Sequence, residues 1–501
     1  MNESYTAALI IDIASKQDYI FSSNKLKLNI GASFIISEVV LVKVLNRIID
    51  KNYAHTSKVV NIGGGNAIIY FIDDTSLKGF VGDFSAHIIE NYPGVNLEFG
   101  KTHLNKEEPE SFKQIRMRLN SHKNERRSSL FLTNAVDLGI AKECKISGDP
   151  ANAMEDGHSV SLEVKTKNHA SKVAQSKVQS RYNDLLKDQQ LVFSSIGSEF
   201  APEKTKAFLS VVHIDGNKIG DLFKKINTED EFVETSDWLE AKLSYCLREV
   251  IKETCSLIQD GSIRDVYGDH SIDLYKIEDP KSADRVKYVL PFRSIINAGD
   301  DITFICHGKL GIYLAEKYIK LLGEEYQGKP GIPACAGIAI THVNHPFYKA
   351  YKIAEELCQN AKKASRIDEN PRLHYMVFKE GISGTLEDIW LREYTSQSTK
   401  FKRDALTLTG ITDSPSSFYR CIGLFKNIKY GEGKWPTSKL QRIIKSLHFD
   451  DIAFDSLLLY LKSSTNQLDY QEALSGYSKS DLLEASELIE FYPIFSKSSQ
   501  S

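Results

Sequence analysis

Two adjacent carboxylates at a turn are the chemical signal of this sequence. The stretch Ser294-Ile295-Ile296-Asn297-Ala298-Gly299-Asp300-Asp301-Ile302-Thr303-Phe304-Ile305 sets Ala-Gly-Asp-Asp between two apolar, β-rich runs. That pattern predicts a hairpin with both acids at its tip. Adjacent Asp residues repel each other and disfavour strands, so a cation is the usual reason to hold them on a rigid turn, and a divalent metal is the first candidate. The plain alternative is an ordinary Gly-Asp turn with a solvated second acid. Another carboxylate, Asp215, stands in His213-Ile214-Asp215-Gly216-Asn217-Lys218-Ile219-Gly220, a predicted strand-to-helix turn whose free amides suit a triphosphate. A third stretch, YKAYKIAEELCQNAKKASR, puts Tyr351, Ala354, Leu357, Cys358 and Ala361 on a buried helix face. Lys362 and Arg366, four apart, share another face, from which two cations can neutralise phosphate charge. Lys363 reads as a solvated cation favoured by the helix dipole.

The elements that must position these groups occur twice. Residues 5–12 (YTAALIID) read as a buried strand, followed by a segment with helical spacing at Phe34, Val39, Val42, Leu45 and Ile49. Then come a hairpin in SKVVNIGGGNAIIYFID, a helix around 79–91 and the strand VNLEFGKTHL. Strand, helix, hairpin, helix, strand suits an antiparallel sheet with helices on one face. From residue 207 the order returns: strand AFLSVVHID, helices at 217–226 and 234–258, hairpin at 288–306, helix at 309–323, strand ACAGIAITHV. Asp12 answers to Asp215, Gly63-Gly64-Gly65-Asn66 to Ala298-Gly299-Asp300-Asp301, and Phe99-Gly100-Lys101-Thr102-His103 loosely to Ala339-Ile340-Thr341-His342. The first copy lacks both hairpin acids. Its glycine turn lets backbone approach a ligand but cannot hold a metal, so this copy reads as structural or as a second nucleotide pocket through Gly64, Gly65 and Asn66.

With 63 basic and 66 acidic residues among 501, the chain has no global basic field for nucleic acid. A local patch or a partner must supply any such binding. Lys113, Arg116, Arg118, Lys123, Arg126 and Arg127 lie in a basic helical run, which is more simply a solvated helix face than a phosphate contact. Seven cysteines without a CxxC pair read as reduced thiols. The N-terminus has no basic signal region and no apolar run reaches membrane-spanning length, so the expectation is a cytoplasmic protein that does not contact membrane. Residues 260–287 read as a surface insertion, and Asp269-His270 within it is weak evidence for a nuclease metal site. After LHYMVF at 373–378 the chain reads as helices to a Ser-rich tail. The expected class is therefore α+β: 1–110 a first, degenerate sheet domain, 111–200 a helical basic linker, 201–380 a second sheet domain with AGDD, and 381–501 a helical domain.

These motifs support a resemblance. VHIDGNKIGDLF, NAGDDITF and AGIAITHVNHPFYKAYKIAEELCQNAKK, with KQDYIFSSNKLKLNIGASFII near the start, resemble the large polymerase/cyclase subunit of type III CRISPR effector complexes, Cmr-type branch. The helix ending AKKASR is also similar to the phosphate-binding helix of diguanylate cyclases. The resemblance implies two ferredoxin-like palm domains and a GGDEF-like nucleotidyltransferase that joins ATP into cyclic oligoadenylate with release of pyrophosphate. Asp215, Asp300 and Asp301 would be catalytic and would hold Mg2+ or Mn2+. Gly216, Asn217, Gly299, Lys362 and Arg366 would bind nucleotide, and Gly64, Gly65 and Asn66 would orient an acceptor ATP. CRISPR effector subunits with guide and target RNA are the implied partners. The family's Gly-Gly-Asp-Asp is Ala298-Gly299-Asp300-Asp301 here, Asn217 stands where a second acid is usual, and only Cys144 remains of a four-cysteine zinc site. With no histidine-aspartate domain before Tyr5, DNA cleavage is not expected, and the region around Cys144 must be held by packing. A catalytically weak scaffold subunit of the same kind of complex is the rival reading.

Overall fold

The computed structural model describes residues 5–105, 110–127, 142–203, 207–261, 272–279, 282–298, 301–379, 384–393, 404–409, 417–430, 435–447, 451–463 and 474–493. The Asp269-His270 dipeptide, Gly299 and Asp300 lie outside them. The chain divides into two compact units, Met1–Gly197 with Lys218–Glu249 and Arg293–Ile302, and Ser198–Asn217 with Val250–Phe292 and Thr303–Ser501.

The first unit begins with β1 (Ala7–Ala14), the short α1 (Lys16–Ile20) and α2 (Leu26–Phe34). The last runs on through a π-wound stretch, Ile35–Val44, and α3 (Leu45–Ile48) as far as Tyr53. This Leu26–Tyr53 helix corrects the expectation that no apolar run reaches spanning length: it is long and apolar enough to cross a membrane, but 72% of its most apolar window is buried inside the protein. Its composition is that of a core helix, which must be apolar nearly all round. The hairpin β2 (Ser57–Gly63) and β3 (Asn66–Phe71), α4 (Asp74–Asn91) and β4 (Asn96–His103) complete an antiparallel sheet ordered β2-β3-β1-β4. The strand, helix, hairpin, helix, strand sequence is the one read from the apolar pattern.

Helices cover both faces of that sheet rather than the one expected. Ala8, Ile10, Ile68 and Tyr70 pack against Phe112, Ile115 and Leu119 of α5 (Phe112–Arg127) and against Ile226 and Phe232. Phe71, pointing the other way as strand residues alternate, meets Phe80 of α4. Polar on average, α5 still has an apolar stripe at i, i+3 and i+7, which suffices for a core face. The hairpin β5 (Ala153–Glu155) and β6 (His158–Val160) precedes α6 (Leu162–Arg181), α7 (Asn183–Leu186) and the two-residue β7 (Leu191–Val192). Here Cys144 is buried with Leu28, Val160 and Val164, and the Ser147 and Ser161 hydroxyls meet at 3.0 Å. Burial raises the Cys144 thiol, but hydrogen bonds from Ser147 and nearby amides outweigh it and bring its pKa to about 7. Packing and hydrogen bonds thus hold the region where the resemblance places zinc. All seven cysteines are buried and none forms a disulfide.

The second half opens with β8 (Phe208–Gly216), α8 (Ile219–Lys224) and α9 (Glu229–Gln259), then β9 (Lys276–Asp279) and β10 (Ser282–Val289) as a hairpin. β11 (Phe292–Ala298) and β12 (Asp301–His307) are the expected hairpin, followed by α10 (Gly311–Gly323), β13 (Ala334–His342), α11 (Phe347–Asp368), β14 (Arg372–Phe378), α12 (Leu386–Glu393) and β15 (Leu406–Thr407). The sheet order β11-β12-β8-β13-β14-β15 repeats the first four-strand order and extends it by two strands. The chain ends in α13 (Phe418–Tyr430), α14 (Thr437–Leu447), α15 (Asp451–Ser463) and α16 (Lys479–Phe491). Glu316 of α10 anchors this region by accepting from the hydroxyls of Tyr419 (2.9 Å) and Tyr492 (2.6 Å).

Candidate active site

The register of β13 on β8 sets the geometry of the second unit's site. Asp215 lies opposite Cys335, and His213, two residues earlier on the same face, lies opposite Gly337. Gly337 is where α11 crosses, because a Cβ there would lie 1.9 Å from the Ala354 carbonyl oxygen. The close approach brings Ala354, Leu357, Cys358 and Ala361 into the core, as their spacing predicts. One turn beyond Cys358, Lys362 Nζ lies 2.5 Å from Asp215 Oδ2. The side chains are 18% and 12% exposed, so the two charges neutralise each other in a place water barely reaches.

Asn217 braces this corner. Its side-chain nitrogen donates to Ser365 Oγ at 3.0 Å, and its backbone N–H donates to the Pro333 carbonyl at 2.7 Å. The Asp221 and Leu222 amides both turn back to the Lys218 carbonyl, so the short α8 leaves fewer free amides than the expected helix start. His213 is buried and donates to or accepts from Thr303 Oγ1 at 3.0 Å, with its ring edge-on to Tyr351. Burial, and then the Lys362 charge, lower its pKa to about 4, so the imidazole is neutral at physiological pH.

Of the remaining predicted residues, Gly216 is buried at the end of β8, Asp301 opens β12 half-buried, and Arg366 is exposed. Among the described residues no three His, Cys, Asp or Glu side chains are grouped as a metal would need. The donor set nonetheless suits a hard cation at one point. Asp215 already holds a positive charge on an oxygen, and oxygen donors are what Mg2+ and Mn2+ take.

The first unit repeats the arrangement with a difference. Asp12 lies opposite Asn66 on β3 and Glu98 on β4, with Gly100 opposite Ile10. Gly100 therefore answers to Gly337, two residues out of step with the match that set His103 beside His342. A Cβ on Gly100 would lie 2.1 Å from the Leu119 carbonyl, so α5 crosses here as α11 crosses Gly337. The repeat thus includes a further helix in each half. Asp12 is held by Lys16 at 2.9 Å and by Lys123 of α5 at 2.7 Å. Burial raises its pKa, but the two lysines outweigh it and hold it below the usual value. Lys16 also donates to the Gly64 carbonyl at 3.2 Å, and a Cβ on Gly65 would meet its ammonium at 2.6 Å. The glycine turn of Gly64, Gly65 and Asn66 is thus closed by a lysine.

The basic helix is partly internal as well. Arg116 donates to the carbonyls of Phe223 and Ile226 and lies over the Phe232 ring, and Arg118 bonds the His103 carbonyl and Glu110. With Lys123 on Asp12, three of the cations expected on a solvated or RNA-facing surface hold the fold instead. Lys16 and Lys123 are the partners that sequence reasoning missed. Only the i, i+4 spacing of Asp12 and Lys16 offered a signal. A cavity of about 390 Å³ in the first unit is lined by Lys58, Val60, Glu229, Asp230, Glu234 and Asp237, an acidic wall that does not suit a triphosphate.

No protein-family model matches the chain, and no curated protein matches it. Solved structures do. A chain of the crystal structure of a Csm1-Csm4 cassette in complex with cA4 aligns at a TM-score of 0.54 and 14% identity, over 97% of this chain and 69% of that one. In fold, the chain is similar to Csm1. Csm1 in T. onnurineus aligns at 0.53 and 15% identity over 98% of this chain and 70% of its own, and a Csm1-Csm4 cassette in complex with pppApA at 0.52 and 14% over 97% and 70%.

Proposed function

We propose that this chain is a metal-dependent nucleotidyltransferase of the type III CRISPR large-subunit kind, joining ATP into cyclic oligoadenylate with release of pyrophosphate. The observation that carries the reading is the meeting of Asp215 and Lys362 beside Gly216 and Asn217, in the half whose hairpin keeps two acids. The fold's likeness to cassettes that hold cA4 and pppApA supports the same product class. Those relatives carry Csm1, so the support extends to a type III large subunit and not to the Cmr-type branch. In this reading residues 1–110 are a degenerate palm, 111–200 join it to the catalytic palm at 201–380, and 381–501 form a helical domain. Subunits and RNAs of an effector complex are the proposed partners.

The 3′-hydroxyl of one ATP attacks the α-phosphorus of the next. A P–O bond forms, the bond to pyrophosphate breaks, and the hydroxyl proton passes to solvent. Asp215, Asp300 and Asp301 would hold Mg2+ or Mn2+, which when bound neutralises phosphate charge and favours the alkoxide. Lys362 and Arg366 would bind phosphate oxygens, and Gly299, having no side chain, would let the nucleotide lie against the hairpin. Labelled ATP with Mg2+ or Mn2+, with and without partner subunits and target RNA, tests the reading. Asp300→Ala with Asp301→Ala should abolish product while leaving folding intact, and undiminished product from that variant would sink it.

One observation favours a second reading. Asp215 is already neutralised by Lys362, and Asn217 is spent on bracing α11, as befits a palm-fold scaffold with little catalysis. Assembly with partners but no product under any condition would favour the scaffold.

A further inference from the structure

The Asp215–Lys362 pair joins two side chains that the proposed reaction needs apart, one for metal charge and one for phosphate charge. We propose that Lys362 is a built-in counter-ion: it occupies the Asp215 carboxylate until a divalent cation replaces it, and the replacement releases its ammonium to phosphate. Metal and nucleotide binding are then coupled through one side chain. The inference rests on the functional reading above.

Three features of the site argue for exchange. With Nζ 2.5 Å from Oδ2, a metal ion brought onto that oxygen would set two cations against each other where water barely reaches to screen them. The helix itself is pinned, since Ala361 and Ser365 are buried and Gly337 lets α11 lie against the sheet, so the flexible lysine stem is what moves. His213, the nearest basic side chain on the same face of β8, is buried and shares its Nδ1 with Thr303, so it cannot replace the lysine as counter-ion. In the first unit Asp12 carries two lysines, so displacing one leaves the other on the carboxylate and no exchange is expected there.

The test uses the full chain and Mn2+ alone, with free ion read by electron paramagnetic resonance, then a β,γ-imido ATP analogue titrated with and without Mn2+. Lys362→Met should bind Mn2+ about tenfold more tightly than wild type, within the 5–150-fold span usual for coupled sites. The factor by which Mn2+ raises analogue affinity should fall by a similar amount, since coupling is reciprocal. Lys363→Met, which removes the same charge from an exposed neighbour, should leave both values unchanged. If the methionine variant does not fold, Lys362→Arg keeps the question open. Its fork grips a carboxylate more firmly, so it should weaken Mn2+ binding below wild type. Wild-type Mn2+ affinity in Lys362→Met, or a change as large in Lys363→Met, overturns the proposal. Polymerisation that still depends on Asp300 and Asp301 would then leave the functional reading standing. Mn2+ binding undiminished by Asp215→Asn overturns both.

Discussion

His213 shows how a single residue's surroundings become a pH dependence. Its ring is 2% exposed, and its pKa falls from 6.5 to about 4 because burial and the Lys362 charge both disfavour the imidazolium. A base whose pKa is lowered on folding takes up protons more readily unfolded. Its contribution is therefore full above pH 6.5 and lost as pH falls towards 4. Urea unfolding between pH 7 and 4.5 should show a loss on the order of 3 kcal/mol from this group. His213→Gln should flatten that slope, and an unchanged slope would mean that the ring is hydrated in the folded protein.

At the scale of elements, each half depends on one helix lying directly on the strand that faces its acid. Gly100 and Gly337 permit this, and each would push a Cβ into a backbone carbonyl, of Leu119 and Ala354. Backbone cannot move aside as a side-chain tip can, so Gly100→Ala and Gly337→Ala should each cost about 1–3 kcal/mol or more. Thermal unfolding should fall by a few degrees in both. Gly337→Ala should also reduce nucleotide binding, because α11 carries Lys362. An unaltered melting temperature in either variant would place the helix farther from the sheet.

At the scale of the molecule, two sheets share a four-strand order but differ in the charges set on it. Asp215 pairs with Lys362, whereas Asp12 pairs with Lys16 and Lys123. Superposed on the crossing glycines, Lys123 falls at Cys358, so the lysine of the second half has moved one helical turn. On the functional reading this makes the acids unequal. Asp12→Asn should cost about 1–3 kcal/mol in stability, by leaving half-buried lysines without their carboxylate, and should change turnover only a few-fold. Asp215→Asn should abolish turnover and, by leaving Lys362 without its carboxylate, should cost a similar amount in stability. Equal loss of product from both, in assays of folded protein, would show that the first half is catalytic too.

The order of strands and helices, the two copies, the hairpins and the buried stripe of α11 were legible in the sequence, because apolar period and turn residues are local signals. The pairing of Gly63–Asn66 with Ala298–Asp301 was legible for the same reason: each turn ends one strand and begins the next. Only the tertiary structure decided which charges meet. Lys123 reads as one cation in a basic run until α5 is laid on β1, and Arg116 as a surface group until the carbonyls of Phe223 and Ile226 close on it. The two-residue slip between Gly100 and Gly337 was hidden because it depends on which residues lie opposite on β1 and β8, and the nearly all-apolar β13 has no period to set its register. Read from sequence, no apolar run reaches spanning length, whereas the structure joins Leu26–Tyr53 into one helix long and apolar enough, most of it buried inside the protein. Sequence names the groups that can do chemistry. Lys16 apart, their charge partners lie far along the chain, and only packing brings them together.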